Sequence, residues 1–339
     1  MKGLSMEETR DLPLAMVETG DTIQFDRGPV YDYHSIGGSP GNKVTLLVVP
    51  LVAAGGLLIP KTCSRAISSA NGTADILESI APVTFSADRI KEIAERTGGI
   101  IAWGGGVNLA PADDLIIRIE YPLSMDPYNQ LLASVMAKKK AVGANFLLID
   151  IPMGPGTKVE DEALARRYAT DFIRLGELLD IKVECVISYG GQPVGHAIGP
   201  ALETREALQI LEGSPTPNSG LEKSGGLAGV LFEMAGLTHD GVQMAKDLLS
   251  GGEALRKFQE IIGAQGGPAG VSSRDVKVGE HYESIHAPVE GYVDSIDNKA
   301  VVRIAREAGA PHDKGAGLLL NKKVGRKADR DDILYTIYS

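Results

Sequence analysis

The sequence predicts an α/β protein: a mostly parallel central sheet flanked by helices, a residual helical lobe, and a small strand-rich module at the C-terminus. Three observations predict it. Five Val/Ile/Leu-rich runs alternate with amphipathic segments, and strands buried on both faces belong to parallel sheets covered by helices. Several of these runs end in Gly-, Ser- or Thr-rich loops, where such sheets bind ligands. Past a Gly/Pro/Ser-rich stretch at 266–273 the pattern changes from helical to strand-like.

Taken in order, residues 5–18 read as a helix, with Ser5 and Glu8 at capping-box spacing and Gly20 as a stop. Alone, it cannot bury Leu12, Leu14 and Met16, so further helices are expected before Met1. Strands are expected at 29–33, 57–61, 99–103, 145–151 and 182–188. Helices are expected at 43–54, 73–80, 87–97, 127–142, 160–180 and 202–211. Residues 221–264 are helical with Gly-rich breaks. Residues 286–297 read as strand with a turn, 299–308 as a short helix and 318–338 as strand. The expected units are a helical lobe (1–25 and 111–143), an α/β domain (26–110 and 144–270) and a C-terminal module (271–339).

Composition narrows the class. No apolar run reaches the length of about 20 residues that a membrane helix needs, and the N-terminus lacks a secretory pattern. Cys63 and Cys185 are the only cysteines, which fits a reducing cytoplasm; no zinc pattern is present and no cofactor is expected. A net charge of −10 argues against nucleic-acid binding, yet a local pocket can still take an anion.

Four segments carry candidate chemistry. The loop 32–45 holds His34, Ser35, Gly37, Gly38, Gly41, Lys43 and Thr45. Its glycines let backbone approach a ligand, and its N–H groups with the next helix start suit an anion. The segment 61–75 offers Ser64, Ser68, Ser69 and Thr73 hydroxyls and the Arg65 fork; Cys63 reads as packing or a nucleophile, and Thr73 as a ligand group or a cap. In 124–140, Asp126 and Pro127 start a helix on which Ser134 and Lys138 share a face. There Asp126 reads as a simple cap and the Lys138–Lys140 run as a solvated face. Gly154–Lys158 is a further strand-end loop with a cation.

Together these motifs resemble the thymidine and pyrimidine-nucleoside phosphorylase family. The matching residues are His34-Ser35-x-Gly37-Gly38, Ser64-Arg65-Ala66, Gly72-Thr73-x-Asp75-x-x-Glu78, Leu109-Ala110-Pro111-Ala112-Asp113, Ala133-Ser134 to Lys138-Lys139, and Gly199-Pro200-Ala201-Leu202-Glu203. Within the family the chain is most similar to archaeal AMP phosphorylases, through Ser35–Thr45, Pro60-Lys61-Thr62, Ala70–Asp75 and Pro122–Pro127. The resemblance implies a C-terminal β–α–β hammerhead module. It implies phosphorolysis of AMP, with CMP or UMP as further substrates, to free base and ribose 1,5-bisphosphate. It also implies nucleotide or phosphate contacts at Gly38, Ser64, Arg65, Ala66, Ile67, Ser68, Ser69, Thr73, Ser134 and Lys158, with Asp126 as proton donor. The resemblance places His34 near the base, while the residue alone reads equally well as a structural histidine pinning the glycine loop; Ser35 and Thr45, as loop hydroxyls, and Lys138 are expected beside the ligand. A homodimer or larger assembly is implied for the full-length family.

The chain departs from that pattern. Cys63 stands where the family commonly has a phosphate-binding Ser, and Ser64 is adjacent to Arg65. The extra N-terminal domain and first helices of the archaeal enzymes have no counterpart, so the chain is expected to be a truncated core. Asp126 at a helix start should be held ionised, the reverse of a proton donor's need, unless burial or substrate compensates. The rival readings are a pyrimidine-nucleoside phosphorylase, an anthranilate phosphoribosyltransferase and a non-catalytic nucleotide-binding core.

Overall fold

In the computed structural model, which describes residues 4–41, 43–66, 69–120, 127–214 and 218–339, five parallel strands form the centre. They are β1 (Tyr31–Ser35), β2 (Ile59–Cys63), β3 (Gly99–Trp103), β4 (Phe146–Met153) and β5 (Lys182–Tyr189). β1 pairs β4 and β4 pairs β5; β2 pairs β3. A parallel bridge between Val30 and Leu58, with Tyr31 N donating to Leu58 O at 2.8 Å, joins the two groups. The spatial order is therefore β3-β2-β1-β4-β5, with its switch point between β1 and β4.

Twelve helices are described: α1 (Met6–Glu18), α2 (Val44–Ala54), α3 (Thr73–Leu77), α4 (Ala87–Thr97), α5 (Pro111–Glu120), α6 (Tyr128–Ala141), α7 (Glu162–Leu178), α8 (Pro200–Leu211), α9 (Ser219–Met234), α10 (Gly241–Ser250), α11 (Glu253–Ala264) and α12 (Asn298–Glu307). They cover both faces of the sheet. On β4, Leu147, Ile149 and Ile151 pack with Phe172 and Leu175 of α7, while Leu148 turns to the cluster built by α2 and α9. That alternation is the period-2 pattern of a strand buried on both sides. α2 has buried residues along nearly its whole length, which is why the 44–60 stretch is so apolar.

Several expectations shift. β1 starts at Tyr31 rather than Pro29, because Pro29 has no N–H for the ladder. α6 starts at Tyr128, with Pro127 in the cap position rather than the first turn. α8 starts at Pro200, where a proline is pre-set for a first helical position. α1 has the capping box: Ser5 Oγ accepts from Glu8 N at 3.2 Å and Glu8 Oε2 from Ser5 N at 2.8 Å. It is not unpartnered, since Met16 is buried with Ala110 and Ala137 of the neighbouring segments. The 266–273 stretch is tied down rather than free: Gln259 Nε2 donates to Val271 O at 3.1 Å, and Val271 is buried.

The chain beyond it adds strands to β6 and completes an antiparallel sheet. Its strands are β6 (Ala197–Ile198), β7 (Tyr282–His286), β9 (Gly317–Leu320) and β11 (Ile333–Tyr338), in the order β6-β9-β11-β7. A short pair, β8 (Gly291–Tyr292) and β10 (Lys327–Ala328), stands beside it. α12 packs on this sheet through Val301 and Ala305, in a cluster with Ile198, Leu318 and Leu320. No helix among the described residues is long and apolar enough to cross a membrane.

Candidate active site

A cavity of about 900 Å³ opens at the C-terminal ends of β1, β2 and β4, where the connection direction of the sheet reverses. Its wall includes His34, Ser35, Gly38 and Thr45 from the first loop, Ser64, Arg65, Ser69 and Thr73 from the second, and Lys158 from the third. Val44 and Thr45, at the N-terminus of α2, also line it, so that the helix presents its positive end to the space.

The first loop is held close to the third by the absence of a side chain. Gly38 has φ +100°, and a Cβ there would lie 2.7 Å from Lys158 N. Beneath this loop, Asp32 is fully buried between two cations. Lys139 Nζ donates to Asp32 Oδ2 at 2.7 Å, and Lys61 Nζ lies 3.7 Å from Oδ1. Lys61 and Lys139 are 3% and 1% exposed, so one carboxylate faces two desolvated ammonium groups. Burial and Lys61 push Lys139 below the ordinary lysine range, with Asp32 opposing. Lys61 also lines the cavity. Burial, then Lys139, Lys61, Lys138 and Lys158, hold His34 well below the usual histidine range, so its ring is neutral at pH 7.

The second loop is organised by Asp75. Its Oδ2 accepts from Ala66 N at 2.7 Å and Gly72 N at 2.9 Å, and its Oδ1 from Arg65 Nη1 at 3.2 Å. Arg65 also makes two 2.6 Å bonds to Glu78 and stacks 4.7 Å from the Trp103 ring. The hydrogen bond from Arg65 is the main cause holding Glu78 down to about 2, against its partial burial. Gly72, not Thr73, is the cap of α3, which leaves the Thr73 side chain in the cavity wall. Cys63 Sγ donates to Ala102 O at 3.3 Å, and burial pushes its thiol up to about 12, so it is not a nucleophile at neutral pH.

A buried network fixes the two loops to one another. Glu203 accepts from Lys43 N at 3.0 Å, Asn71 Nδ2 at 3.0 Å and Gly199 N at 3.3 Å. Lys43 is not a ligand-loop cation. It is fully buried, with Nζ donating to Val194 O at 2.8 Å and Ala197 O at 3.0 Å, and paired with Glu206 at 3.0 Å.

The cavity wall is cationic. Lys61, Arg65, Lys158 and Lys223 contribute from the α/β part, and Lys299, Arg303 and Arg306 from α12. Among the described residues, Asp150 and Glu307 are the carboxylates in the wall itself, and Asp150 is paired with Lys223 at 2.8 Å; Asp32, Asp75 and Glu78 face Lys61 and Arg65 from behind it.

The pattern described as "Glycosyl transferase family, a/b domain" matches residues 27–255. The chain belongs to this family. The pyrimidine nucleoside phosphorylase C-terminal domain matches residues 292–339. Similar curated relatives include AMP phosphorylase 1 of Archaeoglobus fulgidus, 56% identical over 339 residues, covering 100% of this chain and 67% of that protein. The AMP phosphorylases of Methanosarcina acetivorans and Thermococcus sibiricus are each 52% identical, covering 99% and 100% of this chain and 67% and 68% of their own lengths. The chain thus spans about two thirds of these relatives. Among solved structures, anthranilate phosphoribosyltransferase of Thermus thermophilus aligns with TM-score 0.64 at 20% identity, over 78% of this chain and 86% of that one. The Saccharomyces cerevisiae counterpart aligns with TM-score 0.61 at 14% identity, over 77% and 80%. At such identities the likeness is one of fold.

As a glycosyl transferase family member, the chain brings most of its sequence-expected residues together, but not all. Ile67, Ser68 and Asp126 lie outside the described residues. Ser134 and Lys138 share a helix face as expected, yet both meet Asp113: Ser134 Oγ donates to its Oδ2 at 2.8 Å, and Lys138 Nζ lies 2.8 Å from the same atom. Neither is in the cavity wall. Ala66 N is committed to Asp75, and Ser69 Oγ donates to Asn71 O at 3.0 Å. The Lys138–Lys140 run is not a solvated face, because Lys139 turns inward to Asp32. Lys61, Asp75 and Glu203 stand in the motifs of the resemblance without an organising role there, and Asp32 has no signal beyond its place in the first loop. Asp75 also lies three residues past Gly72, at cap spacing.

Proposed function

We propose that the chain catalyses phosphorolysis of AMP, with CMP or UMP as further substrates. Inorganic phosphate bonds to C1′ of the ribose as the C1′–N bond to the base breaks. The products are the free base and ribose 1,5-bisphosphate. One observation carries the reading: among the described residues the cavity wall has seven cationic side chains, of which Lys61, Arg65 and Lys223 are paired with Asp32, Asp75, Glu78 and Asp150, in a chain of net charge −10. Such a wall suits a reaction between two phosphate-bearing reactants better than one in which only the nucleophile is anionic. The AMP phosphorylases named above support it.

The physical task is to hold phosphate, a poor nucleophile in water, in line with the anomeric carbon. The Gly38 loop, Ser35, Thr45, Ser64 and Thr73 are the proposed cradle for the attacking anion, with Lys61 behind them. Lys158 is the proposed cation for the 5′-phosphate. His34, neutral at pH 7, can face the base without repelling a proton moving to it. Asp126 is the proposed donor of that proton, and Ser134 and Lys138 the proposed base-side contacts; these three rest on the family resemblance. The deciding experiment is phosphate-dependent base release from nucleoside 5′-monophosphates compared with adenosine, uridine and thymidine. Preference for the monophosphates is expected. Preference for uridine or thymidine would instead make the chain a pyrimidine-nucleoside phosphorylase.

A further inference from the structure

We infer that α12 of the C-terminal module forms the 5′-phosphate wall of the site, with Lys299 and Arg303 as the residues that distinguish a nucleotide from a nucleoside. The inference rests on the reading of the chain as a nucleotide phosphorylase and adds a determinant outside the α/β part. Lys299, Arg303 and Arg306 follow one another at i, i+4 and i+7, the spacing of a single helix face. All three line the cavity, whereas Val301 and Ala305 on the other face are buried against β6 and β9. The helix is therefore oriented by its apolar face, and its cations are left towards the ligand space.

Two contacts hold it there. Asn298, 3% exposed, donates from Nδ2 to Gly190 O at 2.9 Å, beyond the end of β5. Arg306 Nη1 lies 3.5 Å from Ser69 O on the second loop. Asn298 Oδ1 is buried and has no hydrogen-bond partner among the described residues.

Like charges at i, i+4 repel, and the stripe has only Glu307 as a lining carboxylate on its own helix. A phosphate monoester, close to a dianion at pH 7, relieves that repulsion. The attacking phosphate has a different place. The desolvated Lys61 lies in β2 beside Asp32 of β1, while Lys299 and Arg303 are exposed on α12 of the C-terminal module. A ribose ring with C1′ on the Lys61 side can send its 5′ substituent towards α12.

The test is the Lys299→Gln/Arg303→Gln double variant, whose changed side chains are exposed. Calorimetric binding of ribose 5-phosphate and steady-state kinetics with AMP, adenosine and inorganic phosphate are compared with the unmodified chain. The expected result is a weakening of ribose 5-phosphate binding by about tenfold or more, and a matching rise in KM for AMP. The KM for phosphate, any activity on adenosine and the melting temperature stay unchanged. Unchanged ribose 5-phosphate binding overturns the inference, and so does a rise in the KM for inorganic phosphate without one for AMP. If the unmodified chain binds ribose 5-phosphate through these residues yet releases no base from any monophosphate, the wall stands and the proposed reaction fails. Glu307→Gln, which removes the opposing carboxylate, is expected to tighten ribose 5-phosphate binding; weaker binding counts against the wall.

Discussion

Replacing Asp32 by Asn tests the charge balance beneath the cavity. The substitution keeps the shape but leaves the ammonium groups of Lys61 and Lys139 buried without their carboxylate. Removing one partner of a buried pair costs about 3–5 kcal/mol, a large share of a net stability of about 5–15 kcal/mol. At 1.36 kcal/mol per pKa unit, a loss of that size lowers Lys139 still further below its ordinary range. The pH dependence follows from the sign. Lys139 already sits below the ordinary lysine value because of burial. Between its folded and unfolded pKa the unfolded chain binds more protons, so stability rises with pH through that window. Above the wild-type Lys139 value of about 7 both chains follow the same slope. Below it the native lysine protonates beside Asp32 while the variant's lysine stays neutral, so the variant alone goes on losing stability. The deficit therefore grows as pH falls from about 8 to about 5. Urea unfolding at pH 8 and 5.5, followed by the fluorescence of Trp103 and by circular dichroism, measures both. A loss below about 1 kcal/mol at pH 5.5, or an equal loss at both pH values, would refute the reasoning.

Other perturbations read single contacts. Gly38→Ala forces a Cβ into Lys158 N at positive φ; steady-state kinetics should show a KM for phosphate raised about 10–100-fold with the fold retained. Cys63 should resist iodoacetamide at pH 7.5 in the folded chain, as read by mass spectrometry, since its thiol is held up to about 12; Cys63→Ser should keep turnover. Lys158→Ala should raise the KM for a nucleotide about tenfold more than that for a nucleoside, and equal effects would remove its 5′-phosphate role. Asp126→Asn should lower turnover on AMP by about 10²–10⁴-fold; near-normal turnover would end its assignment as proton donor.

What could be read beforehand was local. The expectation of a helix at 87–97 matches α4 because Ser86 caps it, accepting from Arg89 N at 3.3 Å, and Gly98 ends it at φ +84°. The strand at 99–103 matches β3. The glycine loop, the Arg65 segment and Lys158 were visible as strand-end loops, and all three meet at the cavity. The misreadings involve partners distant in sequence. Lys139 looked solvated because its carboxylate is 107 residues away, and Lys43 looked like a loop cation because Val194 O is 151 residues away. The stretch of α5 is expected in the helical lobe without a helix of its own, and nothing local shows that Asp113 on it takes up both Ser134 and Lys138. The helix at 299–308 was expected, but the direction of its basic stripe depends on the sheet beneath it.

Glu203 carries a consequence for how such sites can change. Through one side chain, the start of α8 is keyed to the backbone of Lys43, the amide of Asn71 and the N–H of Gly199. The two cradles are therefore not independent cassettes. A glycine loop grafted from a relative with another substrate would arrive without its own α8 and find the key cut for a different lock. Inheritance should favour exchanging the loops and this helix as one block.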